Sequence, residues 1–213
     1  MPGKFHHEEI YRGAEVLQKL SETRLTVCGA GALGSNLVET LLRQGFGRIR
    51  VIDKDRVEEH NVNNQIYGIN EVGNWKVQVL QSRMFRSLNV EVEAIRDELT
   101  EKNVSKHLAG SEIVVDTFDN TGSRKLVTEH CREQSIPCLH AGLSADYGET
   151  IWNDDYRVPE EGGQDICDYP LARNLVLLTA SVAAESLIRF AIERHRENYS
   201  ITLRDYSIRS LER

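Results

Sequence analysis

Short apolar runs alternate with stretches in which apolar residues recur every three or four positions, and this alternation organises the first two thirds of the chain. Arg24–Cys28 (RLTVC) and Arg48–Asp53 (RIRVID) read as short buried strands. Between them, Leu37, Val38, Leu41 and Leu42 fall on one face of a helix over Ser35–Gln44, which Gly45 and Gly47 terminate. Val77, Leu80, Met84 and Leu88 give the same period over Trp75–Leu88. Val90–Ile95 alternates apolar positions with Glu91 and Glu93, as a half-exposed strand does. Ile113–Thr117 then reads as a strand, Ser123–Gln134 as a helix and Pro137–Ala141 as a strand. Strands alternating with helices predict a Rossmann-like α/β fold, a doubly wound and mostly parallel sheet.

After Gly142 the pattern changes. Asp146–Trp152 reads as a strand following a tight turn, which predicts an antiparallel C-terminal extension. Asn153–Tyr169 is rich in Asp, Glu, Gly and Pro and reads as a long loop. Pro170–His195 is a long helix, and Ser200–Tyr206 a last, edge strand. No repeat, low-complexity tract or linker interrupts the series, so residues 1–213 are expected to form one domain.

Composition narrows the function. With 26 Lys and Arg against 33 Asp and Glu, the net charge is −7, which argues against a nucleic-acid partner. The apolar stretch near 175–192 is interrupted by Glu185 and Arg189, so no membrane span is expected. The first residues, MPGKFHHEEI, carry charge where a secretory signal needs an apolar run. Four cysteines, Cys28, Cys131, Cys138 and Cys167, contain no C-x-x-C pair and give no case for structural zinc. Free thiols and the lack of a signal predict a cytoplasmic protein.

The chemistry begins at Gly29-Ala30-Gly31-Ala32-Leu33-Gly34, a G-x-G-x-x-G turn that follows a strand and opens a helix. Gly29 permits the tight turn, Gly31 lets a phosphate approach the backbone, and Gly34 lets helix and strand pack closely. The unpaired N–H groups of the helix N-terminus suit phosphate. Asp53 ends the next strand, where a carboxylate accepts from ribose hydroxyls. Alone, this constellation says adenine nucleotide and leaves NAD, FAD and ATP open.

Residues beyond Asp53 separate these. Asp53-Lys54-Asp55-Arg56-Val57, then Asn61-Val62-Asn63-Asn64-Gln65, is similar to the D-x-D-x-V-x-x-x-N-x-x-R-Q signature of the MoeB/ThiF and ubiquitin-activating enzyme superfamily. Val72-Gly73-Asn74-Trp75-Lys76 resembles its V-G-x-x-K, and Asp116-Thr117-Phe118-Asp119-Asn120 with Arg124 resembles its D-x-x-D-N-x-x-x-R. Thr179–Phe190, with Ala183-Ala184-Glu185, looks like its last core helix. The resemblance runs over about residues 8–195.

The resemblance implies an adenylyltransferase. ATP would bind with Asp53 on the ribose, Asn61 and Lys76 on the phosphates, and Asp119 on Mg²⁺. The substrate would be the C-terminal carboxylate of a ubiquitin-like or sulfur-carrier protein, attacking the α-phosphorus as pyrophosphate leaves. The family works as homodimers or as pairs of related chains. A cysteine near the last core helix serves some members as nucleophile, which makes Cys167 the candidate here. Asp165 and Asp168 flank it and oppose a lowered thiol pKa. Arg124 is expected to pair with a nearby carboxylate, and Cys28, Cys131 and Cys138 to be packing residues.

Two positions depart from the pattern. Asn64 stands where the family carries arginine, and the stretch Phe5-His6-His7-Glu8-Glu9 lacks a second, N-terminal arginine, Arg12 being the nearest. His6 and His7 are expected on a frayed terminus, the alternative being that, protonated, they partly replace that arginine. Three alternatives follow: an adenylyltransferase, slow or completed by a partner's arginine; a nucleotide-binding scaffold without catalysis, as partner subunit of an activating complex; and a nicotinamide-dependent oxidoreductase. The last gives no role to Asn61, Lys76 and Asp119 together.

Overall fold

The structure, a computed structural model, describes residues 2–159 and 170–211. Its frame is one eight-stranded sheet built from β1 (Arg24–Cys28), β2 (Arg48–Ile52), β3 (Val92–Ile95), β4 (Ile113–Asp116), β5 (Cys138–Ser144), β6 (Tyr147–Trp152), β7 (Asn198–Thr202) and β8 (Ser207–Leu211). The strand order is β3-β2-β1-β4-β5-β6-β7-β8. The five strands from β3 to β5 are parallel, and β6, β7 and β8 extend the sheet antiparallel. The chain leaves β1 toward β2 on one side and returns to β4 on the other, so the sheet has a switch point between β1 and β4.

Helices α1 (His6–Arg12), α2 (Ala14–Glu22), α3 (Ala32–Arg43), α4 (Lys76–Leu88), α5 (Val104–Leu108), α6 (Thr121–Glu133) and α7 (Arg173–Glu193) cover the sheet. Strand alternation divides the core. Leu25, Val27, Ile49, Val51, Ile113 and Val115 face the layer that contains α3, α4 and α7. Cys28, Ile52 and Val114 face α5 and α6, where Cys131 and Cys138 are also buried. The three described cysteines are free, buried packing residues. α7 has the length and apolar composition of a membrane span, but it lies against α3 and strands β5 and β6.

Two expectations need correction, and one short element was not expected at all. The N-terminus is not frayed at His6 and His7: α1 starts at His6. It is tied down because Arg12 bonds Glu8 at 2.7 Å and Glu185 of α7 at 2.7 Å. The last strand is not Ser200–Tyr206 but a hairpin: β7 ends at Thr202, the chain turns through Tyr206 at φ 55°, and β8 forms the edge. The short helix α5 had no expectation, because five residues are too few to display a helical period.

Candidate active site

The parallel strands deliver their carboxyl ends to one edge of the sheet, and the cleft lies there, at the switch point. Thr117, following β4, locks to the end of β1: its N–H and its hydroxyl both donate to the Cys28 carbonyl, each at 2.9 Å. The glycine turn begins at that junction. Gly29 has φ +102°, and a Cβ there would stand 2.8 Å from Thr117 Oγ1. A Cβ on Gly34 would collide with the Gly29 carbonyl oxygen, so the close approach of α3 to β1 requires glycine. The space beside Gly31 is open. No side chain caps α3 at Gly31, which leaves its first N–H groups facing the cleft, as an anion site requires.

Asp53 is buried at the head of this turn. Its Oδ2 accepts from Ala30 N–H at 2.7 Å and its Oδ1 from Asp55 N–H at 2.7 Å. Burial pushes its carboxyl up, against the pull of Lys76 and of those two donors. Lys76 opens α4, is itself buried, and its Nζ lies 3.3 Å from Asp55 Oδ2. The cleft has a volume of about 80 Å³, narrower than the usual small-molecule site. Gly29, Gly31, Asp53, Lys76 and Asp119 all line it.

Asn61 and Asn64 are beside this cleft and not in its lining. Asn61 Oδ1 accepts from Glu58 N–H at 2.9 Å and so shapes its own turn. Asn64 is anchored by its backbone: its carbonyl accepts from Asn36 Nδ2 at 2.9 Å, and Asn36 also donates to the Ala32 carbonyl. The Asn64 side-chain oxygen is buried without a hydrogen-bond partner. Cys167 lies outside the described residues.

Arg124 is not in the cleft lining, although Ser123 beside it is. It donates to Tyr156 Oη at 2.9 Å and to the Ala141 carbonyl at 3.0 Å, with Asp116 at 3.7 Å. Asp116 in turn bonds His140 Nδ1 at 2.9 Å and accepts from Phe118 N–H at 3.0 Å. His140 Nε2 is 2.8 Å from Asn153 Oδ1, and its ring stacks on Tyr156 at 3.7 Å. This buried network folds the turn between β4 and Asp119.

The cleft also has members to which the sequence gave no role: Lys54, Asp55 and Phe118, which lie inside the motifs, and Asp97, Glu98 and Leu99, which lie in none. They sit just beyond β2, β3 and β4, and the rule that ligands bind outside the carboxyl ends of such strands was the available signal. Its charges do not favour a polyphosphate. Asp53, Asp55, Asp97, Glu98 and Asp119 face only two lysines, Lys54 and Lys76, in the lining. Among the described residues no three His, Cys, Asp or Glu side chains gather as a metal cluster.

Comparison with known proteins agrees with this architecture. The sulfur carrier protein ThiS adenylyltransferase of Bacillus subtilis (strain 168) is 31% identical over 157 residues, covering 71% of this chain and 47% of that protein. The SAMP-activating enzyme E1 of Haloferax volcanii is 34% identical over 134 residues, covering 62% of this chain and 49% of its own. The chain thus spans about half the length of these curated relatives. Among solved structures, E. coli MccB with ATP superimposes with a TM-score of 0.83 at 17% identity, over 100% of this chain and 71% of that one. E. coli tRNA N6-threonylcarbamoyladenosine dehydratase, TcdA, gives 0.77 at 21% identity, over 90% of this chain and 95% of its own. These likenesses share the fold. The model of the ThiF family matches residues 7–212, and the chain belongs to that family.

Proposed function

We propose that the chain is an ATP-dependent adenylyltransferase that activates the C-terminal carboxylate of a ubiquitin-like or sulfur-carrier protein. One observation carries this: an uncapped helix N-terminus, a buried carboxylate, Asp53, and a buried ammonium, Lys76, share one cleft. Ribose hydroxyls donate to the lone pairs of Asp53 that Ala30 and Asp55 leave free. The phosphates lie along Gly31 and the first turn of α3. Lys76 stands beside them as the bond from the α-phosphorus to the bridging oxygen breaks and charge builds on pyrophosphate.

The nucleophile is already an anion near neutral pH, since carboxylates titrate around 4. It needs no general base, and among the described residues the lining contains no histidine and no cysteine. Orientation and charge are then the catalytic tasks. Mg²⁺ suits the donor set: it takes one or two carboxylates together with phosphate oxygens and keeps several waters. Asp119, exposed at the lip, would hold it. The cation neutralises phosphate charge when bound.

The reading extends to a cytoplasmic protein that works as a homodimer, or with a related chain. ATP–pyrophosphate exchange, driven by small proteins that end in a free carboxylate, tests it. Exchange dependent on such a protein is the expected result. Binding of ATP with no exchange for any carboxylate would favour the second reading, a scaffold subunit, which the acidic lining and Asn64 support.

A further inference from the structure

We propose that Arg173, in the first turn of α7, holds the terminal phosphates of ATP and supplies the charge that Asn64 lacks. The inference rests on the adenylation reading and assigns one more residue to that site.

Topology brings Arg173 there. β6 ends at the amino edge of the parallel sheet, and the chain returns to the carboxyl edge, where Leu171 pairs with Ala145 beyond β5. α7 therefore starts at the edge where α3 starts, and the two helices pack together. Arg173 is exposed, and its guanidinium donates to the Asn63 carbonyl at 3.3 Å. The neighbouring Asn64 is bonded to Asn36 of α3. The segment that follows stays on the glycine turn: Ile66 N–H reaches Ser35 Oγ at 3.4 Å, and Tyr67 Oη donates to the Ala30 carbonyl at 2.8 Å. Arg173 is outside the cleft lining, and these contacts set it near the first turns of α3.

Charge makes the assignment specific. In the lining, Asp55 is paired with Lys76, Glu98 with Lys54 and Asp97 with His107. Asp53 and Asp119 remain, so a polyphosphate meets a cleft without surplus positive charge. Three other arginines, Arg12, Arg56 and Arg96, are engaged. Arg12 is spent on Glu8 and Glu185. Arg56 and Arg96 stack on opposite faces of Trp75, each 3.6 Å from the ring centroid. Among the described residues Arg173 has no carboxylate partner, and it meets a carbonyl that a phosphate oxygen outcompetes. The buried, unpartnered Asn64 oxygen lies on the same segment as a further acceptor for it. With the ribose on Asp53 and the α-phosphate at Gly31, the β- and γ-phosphates extend toward Asn64 and Arg173.

Calorimetry on the full chain with ATP and with AMP, each with MgCl₂, decides the matter. Arg173→Ala is expected to weaken ATP binding tenfold or more while AMP binding stays within twofold. Arg173→Lys should recover part of the loss, because it restores charge without the planar fork. Equal loss for AMP and ATP, or no loss for either, overturns the assignment while leaving adenylation intact. A wild-type chain that binds neither nucleotide overturns the adenylation reading itself, and this inference with it.

Discussion

The Ala30 N–H donates to Asp53 Oδ2 at 2.7 Å, so the end of β2 and the glycine turn form one unit. Each oxygen of Asp53 serves a different backbone donor, Ala30 on one side and Asp55 on the other. Asparagine has one acceptor oxygen and can satisfy only one of them. Asp53→Asn should strand a buried N–H at a cost of about 1–3 kcal/mol and weaken ATP binding tenfold or more. Calorimetry and a thermal melt check both effects; a variant with wild-type affinity would contradict the place given to Asp53.

Gly34→Ala tests the turn without touching a polar group. The added methyl meets the Gly29 carbonyl, a backbone atom that cannot swing aside. The expected cost is about 1–3 kcal/mol of stability, with loss of ATP binding as α3 moves off β1. Denaturant unfolding reads the first effect and calorimetry the second.

Asp116 gives a pH dependence. Burial pushes its carboxyl up, but the Arg124 charge and the His140 hydrogen bond outweigh it, and the group titrates below the usual carboxylate range. A carboxylate with a lowered folded pKa contributes stability above its unfolded value, about 3.9, and loses it as pH falls through the folded value. Asp116→Asn should therefore cost about 3–5 kcal/mol at pH 7, because it leaves Arg124 buried without its carboxylate. Urea midpoints followed from pH 7 downward should show the gap between wild type and variant closing below pH 4. A gap constant across that range would refute the ionised pair.

How far the sequence reached depended on the distance over which each feature is decided. The β1–α3–β2 unit was legible because its apolar periods are clean and Gly29, Gly31 and Gly34 punctuate them. Gly29, Asp53, Lys76 and Asp119 could be gathered into one cleft from the order of their motifs. α1 could not be seen, because its fixed position depends on Arg12 meeting Glu185 from 173 residues away. The β7–β8 hairpin escaped because its turn, Leu203-Arg204-Asp205-Tyr206, has neither Gly nor Pro. Asn61 was placed at the phosphates, and Asn64 where the family carries arginine, by resemblance; in the structure the Asn61 side chain shapes its own turn and the Asn64 side-chain oxygen is buried without a hydrogen-bond partner. Arg173 has no motif at all; only the packing of α7 on α3 brings it to the site.

Asp119 is exposed and makes no hydrogen bond or ion pair among the described residues. Removing its carboxylate should leave the fold alone. Asp119→Ala is expected to keep the wild-type thermal midpoint and to raise the Mg²⁺ needed for half-maximal ATP binding tenfold or more. An unchanged Mg²⁺ titration would remove Asp119 from the metal role.

Self-association has a candidate surface on α1, where Ile10 and Tyr11 are 70% and 78% exposed. Multi-angle light scattering should report a dimer at micromolar concentration. Ile10→Glu with Tyr11→Glu should return it to the monomer, since two desolvated charges oppose an apolar contact. A wild-type chain that is monomeric and fully active alone would speak against the dimer.

The departure at Asn64 and the position of Arg173 make a joint prediction. If both side chains address the same phosphates, an arginine at either place should serve. On the Arg173→Ala background, Asn64→Arg is expected to raise pyrophosphate exchange at least tenfold, because one charge-assisted phosphate contact is regained where the leaving group builds charge. On the wild-type background the same substitution should gain less, since Arg173 already stands there. Interactions that strengthen in the transition state act on kcat, so the gain should appear in turnover more than in the KM of the acyl partner. Equal gains on both backgrounds would mean that the two positions act independently, and no gain on either would leave Asn64 outside the phosphate path.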